Sequence, residues 1–171
     1  MKNLLMLSLI TSTILYSSPI ENLPIKEIKE IKTNKKIEPS GLTIFNNQLI
    51  VVSDNGRICS IEQENCVKLS KKYDLEGAST DGKILYVGIE GKDNIGIVNK
   101  DMSIERINIP RKYKGKKILK KGGDGIEALT FLYKKEGRDF FAISNQSDKI
   151  KGEDSSELII LSIKNKKAKN Y

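Results

Sequence analysis

SGLTIFNNQLIVVSD (residues 40–54) and EGASTDGKILYVGIE (residues 76–90) decide the fold, because each sets apolar runs on both sides of a central polar pair. The pairs are Asn46-Asn47 and Asp81-Gly82. Asp-Gly is among the strongest short hairpin signals, since a two-residue turn that matches the twist of its strands needs left-handed backbone at both positions. Each stretch is therefore predicted as a β-hairpin turning at that pair. A third copy, EALTFLYKKEGRDFFAISN (residues 127–145), is longer by four residues. Its extra length is expected in a longer turn over residues 133–139.

Working outward, a third short strand is expected after each hairpin, at residues 57–61, 95–98 and 158–163. After the first two hairpins a fourth follows, at residues 67–69 and 104–109. The copies begin at Ser40, Glu76 and Glu127, intervals of 36 and 51 residues. Four antiparallel strands at such a spacing match one propeller blade per repeat. The fold class predicted is all-β, a partial β-propeller of about three four-stranded antiparallel blades over residues 38–171. The extra length before the third copy, residues 111–123, is rich in Lys and Gly and is expected to be a solvated surface loop.

Composition removes several function classes. The 171 residues suit one domain. There is no His, so a Ser-His-Asp triad, a Cys-His protease, an HExxH centre and His-ligated transition metals are all excluded. Two Cys cannot build a four-thiolate zinc site, so any metal should be a hard, oxygen-bound one. The formal charge of +8 comes almost wholly from dispersed Lys. Arg stands only at Arg57, Arg106, Arg111 and Arg138. Nucleic-acid sites interleave Arg with aromatics, so no nucleic-acid partner is expected.

The first residues carry Lys2 and then an apolar run over residues 4–16, closing on Ser17, Ser18 and Pro19. Residues 1–18 read as a secretory signal peptide, too short to span a bilayer as a permanent helix. No Cys follows it, so no lipid anchor is expected, and a periplasmic or secreted location is predicted. There Cys59 and Cys66, seven apart across a polar turn, are expected to form a structural disulfide. Residues 19–37 form an N-terminal segment. Within it Ile25, Ile28, Ile31 and Ile37 suggest a strand that would close a ring.

The heads of the three hairpins are Glu38-Pro39-Ser40-Gly41-Leu42, Asp74-Leu75-Glu76-Gly77-Ala78 and Gly125-Ile126-Glu127-Ala128-Leu129. They resemble the blade starts of the SdiA-regulated and esterase-like phytase propeller families, over roughly residues 38–163. Ala128 departs from the Gly of the other copies. The resemblance implies a funnel-like propeller with an acidic central opening compatible with calcium. Such propellers have about six blades, and three cannot close a ring. Truncation or a degenerate relative is the favoured explanation; a homodimer or a second chain completing the ring are the others.

Hairpin symmetry sets Glu76 beside Glu90, Ser40 beside Asp54 and Glu127 beside Asn145, at one end of each blade. Glu76, Glu90, Glu127, Asp54 and Glu38 are the candidate metal ligands, with Asp74 close by. Facing carboxylates repel unless neutralised, and calcium takes six to eight oxygens. Two readings stay open: a calcium-holding centre, or acids that cap strands and face solvent. Neither Ser53 nor Ser144 has a visible activating base, so no catalytic residue is assigned. The expected function is an exported binding or scaffold module for an unknown ligand. The alternative is a phosphate- or carboxyl-ester hydrolase of the phytase-like type.

Overall fold

A computed structural model describes residues 33–69, 73–92, 94–119, 125–145, 148–150, 153–155 and 157–170. The signal-peptide reading and most of the N-terminal segment lie outside them. Among the described residues there are sixteen strands and no helix. The first sheet runs β1 (Pro39–Phe45), β2 (Gln48–Ser53), β3 (Arg57–Ser60) and β4 (Asn65–Lys68). The second runs β5 (Leu75–Thr80), β6 (Leu85–Ile89), β7 (Asn94–Val98) and β8 (Ile104–Asn108). Two short strands follow, β9 (Lys112–Tyr113) and β10 (Lys116–Lys117). The third sheet is β11 (Ile126–Lys135), β12 (Arg138–Asn145), β15 (Leu158–Lys164) and β16 (Lys167–Asn170). Between β12 and β15 stands a small hairpin of β13 (Asp148–Ile150) and β14 (Glu153–Ser155). Each four-stranded sheet is antiparallel with its strands in chain order.

The turn chemistry explains where the strands reverse, and where expectation fails. Asn46 and Asn47 take φ of 51° and 58°, the left-handed pair that a two-residue turn demands, and Phe45 faces Gln48. The second hairpin does not turn on Asp81-Gly82 alone. Thr80 pairs with Leu85, leaving a four-residue loop in which the Asp81 carboxylate accepts N–H bonds from Lys83 and Ile84 at 2.9 and 2.8 Å. A side chain that satisfies two loop amides makes the wider loop self-sufficient. In the third hairpin the expected long turn is absent. Lys135 pairs with Arg138 around Glu136-Gly137, at φ 51° and 67°, so the extra residues lengthen the strands instead.

Two further expectations are corrected. β16 was not foreseen, since Lys167, Ala168, Lys169 and Asn170 offer one small apolar residue. Pairing with β15 through a turn at Asn165 and Lys166, both at positive φ, decides the strand. Residues 111–123 are not wholly a solvated loop: β9 and β10 pair, and Ile118 and Leu119 beyond them are buried. Sheet pairing and burial against a neighbour override a weak local signal.

The three sheets stack through their first strands, β1 against β5 and β5 against β11. Alternation within each strand sends side chains to the two junctions in turn. Ile50, Val52 and Ile58 of the first sheet meet Leu75, Ala78, Leu85, Val87 and Ile89 of the second. From the other face of the second sheet, Tyr86, Ile95 and Ile107 meet Ile126, Leu129, Phe141, Ile143, Ile159 and Leu161. Tyr86 and Phe141 pack edge to face with ring centres 4.9 Å apart. The second sheet is thus covered on both faces, which is why β6 is buried along its whole length. The junctions are close enough to exclude a Cβ: one built on Gly77 would lie 2.7 Å from Leu129 N. Ser79 ties the second junction, its Oγ accepting the Phe131 N–H at 2.7 Å.

Cys59 faces Cys66 directly across β3 and β4, and the two form a disulfide. The hairpin reading of this pair therefore holds. The bond is buried beside Val51, with Ile37 and Ile61 packed around it.

Candidate cation site at the bulged ends of the hairpins

The open end of each hairpin, opposite its turn, carries the same irregularity. In the first sheet Pro39 pairs with Ser53 and Gly41 with Val52, leaving Ser40 as an extra residue. In the second, Leu75 pairs with Ile89 and Gly77 with Gly88, leaving Glu76. In the third, Ile126 pairs with Asn145 and Ala128 with Ser144, leaving Glu127. A bulge re-aims one side chain out of the alternation, and here it does so at the same place three times.

The bulges correct the simple facing pairs expected from hairpin symmetry. Glu90 is set across from Asp74, whose carbonyl accepts the Glu90 N–H at 3.0 Å, and Glu76 is left beside the ladder. The result is a triad rather than a pair. Asp74, Glu76 and Glu90 each bring a carboxylate oxygen to within 4.8 Å of the others. Asn145 belongs to a different position, in register with Ile126. Its amide donates to Ile118 O at 3.0 Å and its oxygen accepts from Glu157 N, so it anchors the scaffold.

The electrostatics of the triad follow from its crowding. Burial, then a hydrogen bond and charge repulsion from Asp74, then Glu127 and Glu90, push the Glu76 carboxyl up to about 8. Burial and the charges of Glu127 and Asp74 push Glu90 up to about 7, against the opposing N–H of Gly125. Near neutral pH protons therefore sit where a cation could, and Glu127 bears on both groups from the third sheet.

Asp54, at the equivalent end of the first sheet, lines a cavity of about 230 Å³ with Tyr73, Asp74, Ile89 and Glu90. Its Oδ1 is buried and has no hydrogen-bond partner, while its backbone N–H reaches Ser40 Oγ and Glu38 O. A desolvated carboxylate oxygen without a donor is costly. Asp54 shares the cavity lining with Asp74 and Glu90 of the triad, and with Lys92. Glu38 is not drawn in: its side chain is about half exposed and pairs with Lys36 at 3.8 Å. Of the five candidate ligands, Glu76 and Glu90 come together, Glu127 and Asp54 border them, and Glu38 stands aside. Asp74 is the triad member that hairpin symmetry placed only nearby, because the bulge that brings it opposite Glu90 leaves no mark in the alternation.

The donor set is all oxygen, which fits a hard divalent cation and not a soft one. Ser53 is fully buried, its Oγ accepting the Glu38 N–H and donating to Asn55 Oδ1, both at 2.9 Å. At the hairpin tips a separate cleft of about 550 Å³ opens between the first two sheets, lined by Phe45, Ile58 and Leu85 with Asn46, Asn65 and Lys83 among its polar residues.

Among the described residues no helix is long and apolar enough to cross a membrane. No protein-family model, curated protein or solved structure matches the chain.

Proposed function

We propose that the chain is an exported binding module, a partial propeller whose three sheets are consecutive blades, and that the bulged ends of its hairpins hold a hard divalent cation such as calcium. The observation that carries this reading is the triad of Asp74, Glu76 and Glu90, with oxygens within 4.8 Å of one another. Three facts support it. The carboxyls of Glu76 and Glu90 are raised toward and beyond neutrality, so a cation replaces protons that the cluster already recruits. Asp54, which carries an unsatisfied buried oxygen, lines a cavity together with Asp74 and Glu90. The bulge that aims Glu76 recurs in each sheet, as expected where a repeated unit points groups at one axis. The disulfide suits an oxidising compartment outside the cytosol.

In this reading Glu76 and Glu90 supply charge, Asp74 completes the set from the strand end, and Glu127 and Asp54 raise the local negative potential. The cation would neutralise their repulsion and leave coordination positions for oxygens of a ligand. Calorimetric titration of the folded protein with calcium at pH 7.5 tests it. One site is expected, weakened at least tenfold in Glu76→Gln/Glu90→Gln. Equal affinity in that variant, or no heat in the native protein, overturns the reading.

A further inference from the structure

The two internal junctions have one rule. The first strand of a sheet offers a residue without a Cβ to the sheet that follows. A Cβ on Gly41 would lie 2.8 Å from Gly77 Cα and 2.9 Å from Ala78 N. One on Gly77 would lie 2.7 Å from Leu129 N. The receiving sheet meets that glycine with a small or apolar residue just beyond it in the repeat. Ala78 does so in the second sheet and Leu129 in the third, at 8% and 5% exposure.

The ends of the stack break the rule in opposite ways. Leu42 holds the receiving position in the first sheet, yet Leu42 and its strand neighbour Ile44 are each 69% exposed. Beside them a groove of about 400 Å³ is lined by Ile37, Pro39, Ser40, Gly41, Leu42 and Val51. At the other end the offering position of the third sheet is Ala128, which is exposed. Its methyl occupies the place where, at both internal junctions, a Cβ would run into the backbone of the next sheet.

We propose that the face of the first sheet left open among the described residues is a docking surface for an antiparallel sheet of another polypeptide that brings a glycine-bearing first strand to Leu42, and that Ala128 prevents a second copy of this chain from being that partner. The occupant is argued from continuity with the interfaces already present: the same face in the second and third sheets is covered by a preceding sheet through a glycine contact. Two internal examples define what fits, and Ala128 lacks the feature both require. Glycine here is a matter of clearance more than flexibility, because the obstructing atoms are backbone and cannot rotate away.

The inference rests on the reading of the sheets as blades and is independent of the cation. The test is therefore run in chelator, with mass as its readout. Ala128→Gly/Leu42→Asp is a donor whose own receiving face is spoiled, and the native chain is the receiver. By light scattering, each alone is expected at the monomer mass, and an equimolar mixture at twice that mass. Replacing the receiver by Leu42→Asp, or by Ile44→Lys as a second exposed substitution, is expected to return the mixture to monomer mass. Circular dichroism of each variant establishes that it is folded. Self-association of the native chain overturns the role of Ala128. Folded donor and receiver that remain monomers when mixed overturn the docking surface.

Discussion

Gly41 and Gly77 meet at the junction of the first two sheets with no space between their backbones for a methyl group: a Cβ on Gly41 would fall 2.8 Å from Gly77 Cα. Gly77 repeats the relationship with Leu129. Replacing either glycine by alanine is expected to push the sheets apart, at about 1–3 kcal/mol for overpacking against backbone. Urea denaturation of Gly41→Ala and Gly77→Ala measures it. Gly137→Ala is the control for backbone effects alone, since that turn glycine has open space around its Cα but φ of 67°.

The raised carboxyls give the protein a defined pH response. Glu76 and Glu90 move from the ordinary 4.5 to about 8 and about 7 in the folded chain. The folded state holds these protons more tightly than the unfolded one, so their contribution to stability is greatest in acid. It declines as pH rises from about 4.5 through 8. A falling melting temperature across that window is expected, and Glu76→Gln should flatten it. A variant with the native slope would place the titration elsewhere.

Calcium should reverse that trend. Ligand that binds only the folded state stabilises by an amount set by its concentration over its dissociation constant. Binding also displaces the protons on Glu76 and Glu90. The calcium-induced rise in melting temperature is therefore expected to be larger at pH 8 than at pH 5, with proton release detectable in weakly buffered titrations.

The disulfide closes a short loop, Cys59 to Cys66, within the first sheet. On the chain-entropy view its removal costs about 2–3 kcal/mol. Denaturation of Cys59→Ser/Cys66→Ser against the native chain measures this. The acidic triad lies on the second sheet and should keep its pH response in that variant.

Ser79 carries a load its sequence does not advertise. Its buried hydroxyl accepts the Phe131 N–H at 2.7 Å, a bond between sheets. Ser79→Ala leaves that amide without its partner, at about 1–3 kcal/mol. Chemical denaturation is the measurement, and Thr43→Ala, on the partly exposed first strand, should cost less.

What could be read from the chain was whatever is encoded locally. Asn46-Asn47 with its flanking alternation specified a hairpin and its turn, though the bulge at Ser40 displaced the facing of Ser40 with Asp54, and Cys59 and Cys66 specified their partnership. What could not be read was decided by pairing and packing that leave no mark in the local apolar pattern. β16 exists because β15 offers it a ladder. Ile118 and Leu119 are buried because the third sheet receives them. The bulges at Ser40, Glu76 and Glu127 matter most for the site. An extra residue shifts which side chains face each other without altering the apolar pattern, so the acids were identified while their grouping was one residue out of step. Asp74 belonged with Glu90, and Asn145 belonged to the scaffold.

The chain-order arrangement of strands governs how the molecule can be made. Every ladder in the three large sheets joins strands that are neighbours along the chain, except for the step over the β13–β14 hairpin. Local pairings close with little loss of chain entropy and form quickly. Residues 39–68 contain all four strands of the first sheet and both cysteines, so the ladder of this sheet and its disulfide need no later residue to form. Each sheet is thus a self-contained stretch of chain that meets its predecessor as a layer, so an added or removed repeat would change the length of the stack without rethreading any strand.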